Sequence, residues 1–134
     1  MSQENVEIAR SAWEAWERGD LDGLFGLYTA DVVWGLTHFR EWPESEYRGT
    51  DGVRRFLDEW LEVWEDYHVG VEEIIAAPHD RVVCLGWQSG RGRTSGLAMD
   101  MKWAQILTLR DGRISRIENF DDRTKALEAA GLRE

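Results

Sequence analysis

The period of the apolar pattern changes near residue 68, and that change dictates the class of fold. Before it, large apolar residues recur at spacings of three and four, the repeat of a helix with one buried face. Val6, Ala9, Trp13 and Trp16 do so over residues 3–18, and Gly19 follows as a helix stop. Asp20 caps a second helix, "DLDGLFGLYTA", with Leu21, Leu24 and Tyr28 as its buried stripe. Thr50 or Asp51 caps a third, "DGVRRFLDEWLEVWEDY", whose apolar face runs through Val53, Phe56, Trp60, Val63 or Trp64, and Tyr67. After residue 68 the runs "VGVEEIIAA", "RVVCLGWQSG", "SGLAMDMKWAQILTL" and "RISRIENF" read as strands. They are joined by the turn "PHD", by "RGRT", and by "RDG", where Gly112 is free to take a positive φ. A short strand, "DVVWGL", precedes a long irregular loop at 37–49, and "DRTKALEAAG" makes a terminal helix. Helices first and antiparallel strands afterwards make an α+β domain. With no repeat or linker in sight, residues 1–134 are one domain.

Composition narrows the function. The formal charge is −10. Neither nucleic acid nor an anionic membrane surface is an expected partner, because both need a basic face. The polar N-terminus has no apolar signal segment, and no run approaches the ~20 apolar residues that cross a bilayer. Cys84 is the single cysteine, so a reducing cytoplasm is the expected home and a small buried hydrophobe its expected role. Eight tryptophans in 134 residues are too many and too large for a small core to absorb tidily. They suggest a lined cavity or a broad aromatic interface.

Strand alternation puts polar groups where a core is expected. Ile117, Asn119 and Asp121 share one face of the last strand, and Met101, Trp103, Gln105, Leu107 and Leu109 share a face of the strand before it. An inward amide must be hydrogen-bonded, which favours Asn119 as cavity-lining. Gln105 is either a buried amide tied to a helix end or to Asn119, or a group that orients a ligand. Asp121 serves either the site or, with Asp122, the cap of the terminal helix. On the outer face, Ala104, Ile106, Thr108, Ile114 and Phe120 are apolar for a solvated surface, from which a homodimer through the sheet is expected.

"WEAWERGDLDGLFGLYTADVVW", "YRGTDGVRRFLDEW", "WAQILTLRDGRISRIENF" and "KALEAAGL" together resemble the SnoaL-like, or NTF2-like, superfamily over nearly the whole chain. The resemblance implies a cone: three N-terminal helices against a curved, mainly antiparallel sheet, open at one end to a small-molecule pocket. It does not settle an activity, since the superfamily holds isomerases, cyclases, epoxide hydrolases, dehydratases and binding proteins. Ketosteroid isomerases of the superfamily need a carboxylate base after the first strand and two acidic donors. The corresponding positions here are Gly35–Leu36, Ala12 and Gln105, so that chemistry is not expected in its usual form. The acid/base aspartate of SnoaL-type cyclases falls on Asn119, which cannot titrate, and an epoxide-hydrolase Asp–Arg–Asp set has no inward placement.

What the resemblance implies for this chain is an aromatic pocket for a small hydrophobic or cyclic molecule. Trp34, Tyr47, Trp60, Trp64, Trp87 and Trp103 are its expected walls, and Gln105 and Asn119 its polar groups. The alternative is an acid/base enzyme of the cyclase, isomerase or hydratase type in which Asp121 or His38 moves the proton. His38, His68 and His79 show no ligand spacing, and no metal or cofactor is expected.

Overall fold

The computed structural model describes residues 2–39 and 42–132. Helices α1 (Ser2–Arg18) and α2 (Leu21–Phe25) lead into strand β1 (Tyr28–His38), followed by β2 (Glu46–Arg48) and helix α3 (Gly49–Val63). Strands β3 (Trp64–Ala77), β4 (Arg81–Gly92), β5 (Ala98–Arg110) and β6 (Arg113–Phe120) come next, and helix α4 (Arg123–Ala129) closes the chain. The six strands form one unclosed mixed sheet in the order β2-β1-β6-β5-β4-β3. Only β1 and β6 pair in parallel; the other neighbours are antiparallel. Register shifts in β1, β3 and β6 break the ladders where the sheet must bend.

Local signals act largely as expected. Gly19 takes φ 75° beyond α1, and Asp20 accepts from the Gly23 N–H at 2.9 Å to start α2. Asp111 and Gly112, both at positive φ, make the tight β5–β6 turn, and His79 and Asp80 do the same between β3 and β4. Asp122, not Asp121, caps α4 by accepting from the Lys125 N–H at 3.2 Å.

Four expected boundaries shift. The second helix stops at Phe25, so Tyr28 opens β1 rather than closing a helix. The expected loop at 37–49 contains β2, which pairs with Val33–Gly35; Arg40 and Glu41 within it lie outside the described residues. Helix α3 begins at Gly49 without a side-chain cap and ends at Val63. Trp64 is therefore the first residue of β3, where pairing with Gly92 outcompetes one more helical turn.

One face of the sheet packs on α1 and α3. Ala9, Ala12 and Ala15 of α1 and Val53 of α3 meet Val82, Cys84, Leu107, Leu109, Ile114 and Ile117 there. Ile114 thus belongs to the inner core, because the register shift between Thr108 and Leu109 reverses its expected side. The other face is covered in part by α4, whose Ala126, with Ala130 just beyond its end, packs on Val83, Leu85, Ala104, Ile106 and Phe120. Of the outer positions that read as apolar from sequence, Ala104, Ile106 and Phe120 lie under α4 in this way.

Candidate functional site: an aromatic cavity

Between the inner sheet face and α1 and α3 lies a cavity of about 120 Å³. Its walls follow from the alternation of the strands. Trp34 and Leu36 come from β1, Trp103, Gln105 and Leu107 from β5, Ile117 and Asn119 from β6, and Gln88 from β4. The helices add Trp13 and Trp16 on one side and Phe56, Leu57 and Trp60 on the other.

Trp60 is the hub of the aromatic end. Its ring centroid lies 5.4 Å from Trp42, 5.5 Å from Trp64, 5.9 Å from Phe39, 6.0 Å from Phe56 and 6.1 Å from Tyr67. Trp34 approaches Phe56 at 4.9 Å. Edge-on and tilted packing dominates, as ring quadrupoles favour. Several indole N–H groups are already committed: Trp103 donates to the Trp87 carbonyl oxygen at 3.0 Å, and Trp42 to the Tyr47 hydroxyl at 2.9 Å. The N–H groups of Trp34 and Trp64 are buried without a partner.

The floor is made of neutral amides. Asn119 donates from Nδ2 to the Gly35 carbonyl oxygen at 3.0 Å and accepts from Gln105 Nε2 at 2.9 Å. The β1–β6 ladder shifts register just after Gly35, and Asn119 supplies the bond there. Gln88, 4% exposed, accepts from the Tyr67 hydroxyl at 2.5 Å. Burial pushes the Tyr67 hydroxyl up to about 12, and burial raises that of Tyr28 as well, so both tyrosines stay neutral across ordinary pH. Among the described residues the lining carries no carboxylate, no imidazole and no cation.

Of the residues singled out from sequence, Trp34, Trp60, Trp103, Gln105 and Asn119 converge on this cavity. Tyr47 and Trp64 stand behind its wall: Tyr47 packs on Phe56 at 5.3 Å and donates to Glu59 Oε1 at 2.7 Å, and Trp64 packs on Trp60. Trp87 is 38% exposed, and its ring lies over Gly70 on the opposite face of the sheet. His38 is exposed at the end of β1 and stacks on Phe120 at 4.5 Å, outside the cavity wall. Asp121 follows β6 at the same end; its backbone N–H donates to the His38 carbonyl oxygen at 3.4 Å, and it too is outside the wall. Among the described residues no cluster of three metal-binding side chains occurs, and no helix is long and apolar enough to cross a membrane.

Sequence reasoning passed over Gln88, Tyr67, Phe39 and Trp42. Gln88 was legible, since it continues the inward series Val82, Cys84, Gly86 along β4. Phe39 and Trp42 were not, because a loop has no period to read.

Residues 9–117 match the SnoaL-like domain family. The chain belongs to that family. No curated protein matches it. Solved structures do. An NTF2-like protein from Burkholderia xenovorans is 27% identical, with 97% of each chain covered and a TM-score of 0.73. TerC, crystallised with polyporic acid, is 22% identical over 95% of this chain and 97% of its own, with a TM-score of 0.73. A proposed polyketide cyclase from Xanthomonas campestris is 20% identical over 95% of this chain and 96% of its own, at 0.70. The SnoaL-like chain therefore has the curved-sheet architecture of NTF2-like proteins.

Proposed function

We propose that this SnoaL-like protein binds a small, neutral, apolar or cyclic molecule in the aromatic cavity. The supporting observation is the wall itself: aromatic and aliphatic side chains with three amides and, among the described residues, no charge. Such a lining rewards burial of an apolar ring and penalises burial of an ion. The likeness to TerC, which was crystallised with polyporic acid, is in keeping with a bound organic molecule.

The second reading is acid/base catalysis in the same cavity, in keeping with the proposed cyclase among the structural neighbours. A proton-transfer residue must come within hydrogen-bond reach of its substrate, directly or through one water. His38 and Asp121, at the β1 and β6 ends, are the two such candidates that sequence singled out, and neither forms the wall.

Calorimetric titration with toluene, phenol and cyclohexanone tests the first reading. Saturable binding of at least one probe, lost by at least tenfold in Trp60→Ala, is expected. Absence of binding by all three in the wild type overturns it. Turnover of lactones, epoxides or enones that Asp121→Asn abolishes establishes the second reading in its place.

A further inference from the structure

The cavity floor has a fixed polarity, and that polarity selects the ligand. The Gly35 carbonyl oxygen can only accept, so the Asn119 side chain must present Nδ2 to it, as observed at 3.0 Å. The Asn119 oxygen then faces Gln105, which must answer with its own amide nitrogen, as observed at 2.9 Å. A backbone carbonyl thus orients two amides in series. At the end of the series stands Gln105 Oε1, which has no hydrogen-bond partner among the described residues. Gln105 lines the cavity and is only 9% exposed. Oε1 is open to the cavity rather than sealed off, so a ligand that displaces water from it must offer a donor in its place.

Resting on the binding role above, we propose that the ligand is a neutral compound of about one ring that carries a hydroxyl or N–H group and donates it to Gln105 Oε1. Size follows from the volume. A cavity of about 120 Å³ is close to the ~150 Å³ that holds a benzene molecule. Neutrality follows from the lack of any lining charge among the described residues. The other unshared amide, Gln88, does not impose the same choice. Cys84 stands opposite Gln105 and Met101 opposite Gln88, so the backbones of the two residues are four positions apart along the sheet, roughly 13 Å. The partner of Gln88 is the Tyr67 hydroxyl, which rotates and can donate or accept, so nothing locks that amide.

Phenol, anisole and benzaldehyde test this by calorimetric titration at pH 7 against wild type and Gln105→Met. Anisole is the more hydrophobic of the first two, so a merely greasy cavity prefers it to phenol. The expected result in the wild type is phenol at least fivefold tighter than anisole, with benzaldehyde, an acceptor, weaker than phenol. In Gln105→Met, with its thermal unfolding checked for a cooperative transition, anisole is expected to overtake phenol. Anisole equal to or tighter than phenol in the wild type overturns the donor requirement while leaving the binding role standing. A phenol preference that survives in Gln105→Met overturns the assignment to Gln105. No binding by any of the three overturns this inference, and the binding role falls with it when toluene and cyclohexanone also fail to bind.

Discussion

Trp103 stacks on Trp13 with ring centroids 5.0 Å apart and planes 17° apart, joining the sheet to the first helix across one end of the cavity. The contact depends on a third residue. Gly86 stands directly opposite Trp103 on the neighbouring strand, and the indole lies across it. A methyl group at Gly86 would collide with the Trp103 ring and with the Gly70 carbonyl oxygen. The next strand repeats the device on the other face, where Trp87 lies over Gly70.

Gly86→Ala is therefore expected to lose about 2 kcal/mol or more, since one of the colliding atoms is backbone and cannot swing away. Urea unfolding measures the loss. Near-ultraviolet circular dichroism should show the stacked-indole signal fall with it. A variant with wild-type stability and spectrum would show that the ring does not rest on Gly86.

Asn119→Leu removes the donor to the Gly35 carbonyl and the acceptor for Gln105 together. Both orphaned groups are buried, and leaving a buried polar group unpaired costs about 1–3 kcal/mol. A fall in the denaturation midpoint of that order, with an unchanged m-value, is the expected outcome.

The alkaline limb of the stability profile follows from burial. Burial pushes the Tyr67 and Tyr47 hydroxyls up from 10.0 to about 12, and the Cys84 thiol up from 9.0 to about 12. Each is neutral when protonated, so between its ordinary value and its raised one the unfolded chain has released the proton and the folded chain still holds it. Stability should be insensitive to these groups below about pH 9 and should fall steadily from there to about pH 12. Thermal melts against pH, with tyrosinate absorbance followed in parallel, test this. Ligand binding should be flat between about pH 5 and 8, because no described lining group titrates there. A bell-shaped dependence would point to a participating acid or base.

Arg81 fastens the last helix. Its guanidinium donates to the carbonyl oxygens of Ala129 and Ala130, each at 3.1 Å, at the C-terminus of α4, and to that of Pro78 at 3.0 Å. Arg81→Ala is expected to cost about 1–2 kcal/mol and to speed amide exchange in α4 more than in the sheet. Arg81→Lys should not restore it, since one ammonium cannot bridge three carbonyls in that geometry.

Much of this molecule can be read locally. The change of period separates helices from sheet, Gly19 and Asp20 break and restart the chain, and the Asp111–Gly112 turn joins the last two strands, all through interactions within a few residues. The inward amides Gln105 and Asn119 are legible from alternation, because a strand side chain has only two faces to choose between. Trp87 shows the limit of composition: a tryptophan count cannot say which face each ring takes, and its one-residue offset from Gln88 sends it outward. Ile114 shows the limit of alternation, since a single register shift reverses it. His38 and Asp121 drew attention by chemical type, but whether a residue at a strand end joins a site depends on where the sheet curves.

Propensity and period act over a few residues, and they suffice for the α+β class, the SnoaL-like resemblance and the polar pair on the last two strands. Long-range packing set the rest: α4 lies over part of the outer face, Trp64 enters a strand, and the cavity wall is uncharged among the described residues. Those outcomes depend on pairings between segments tens of residues apart. Which distant surface wins such a pairing is a competition over buried area, and no local pattern contains its result.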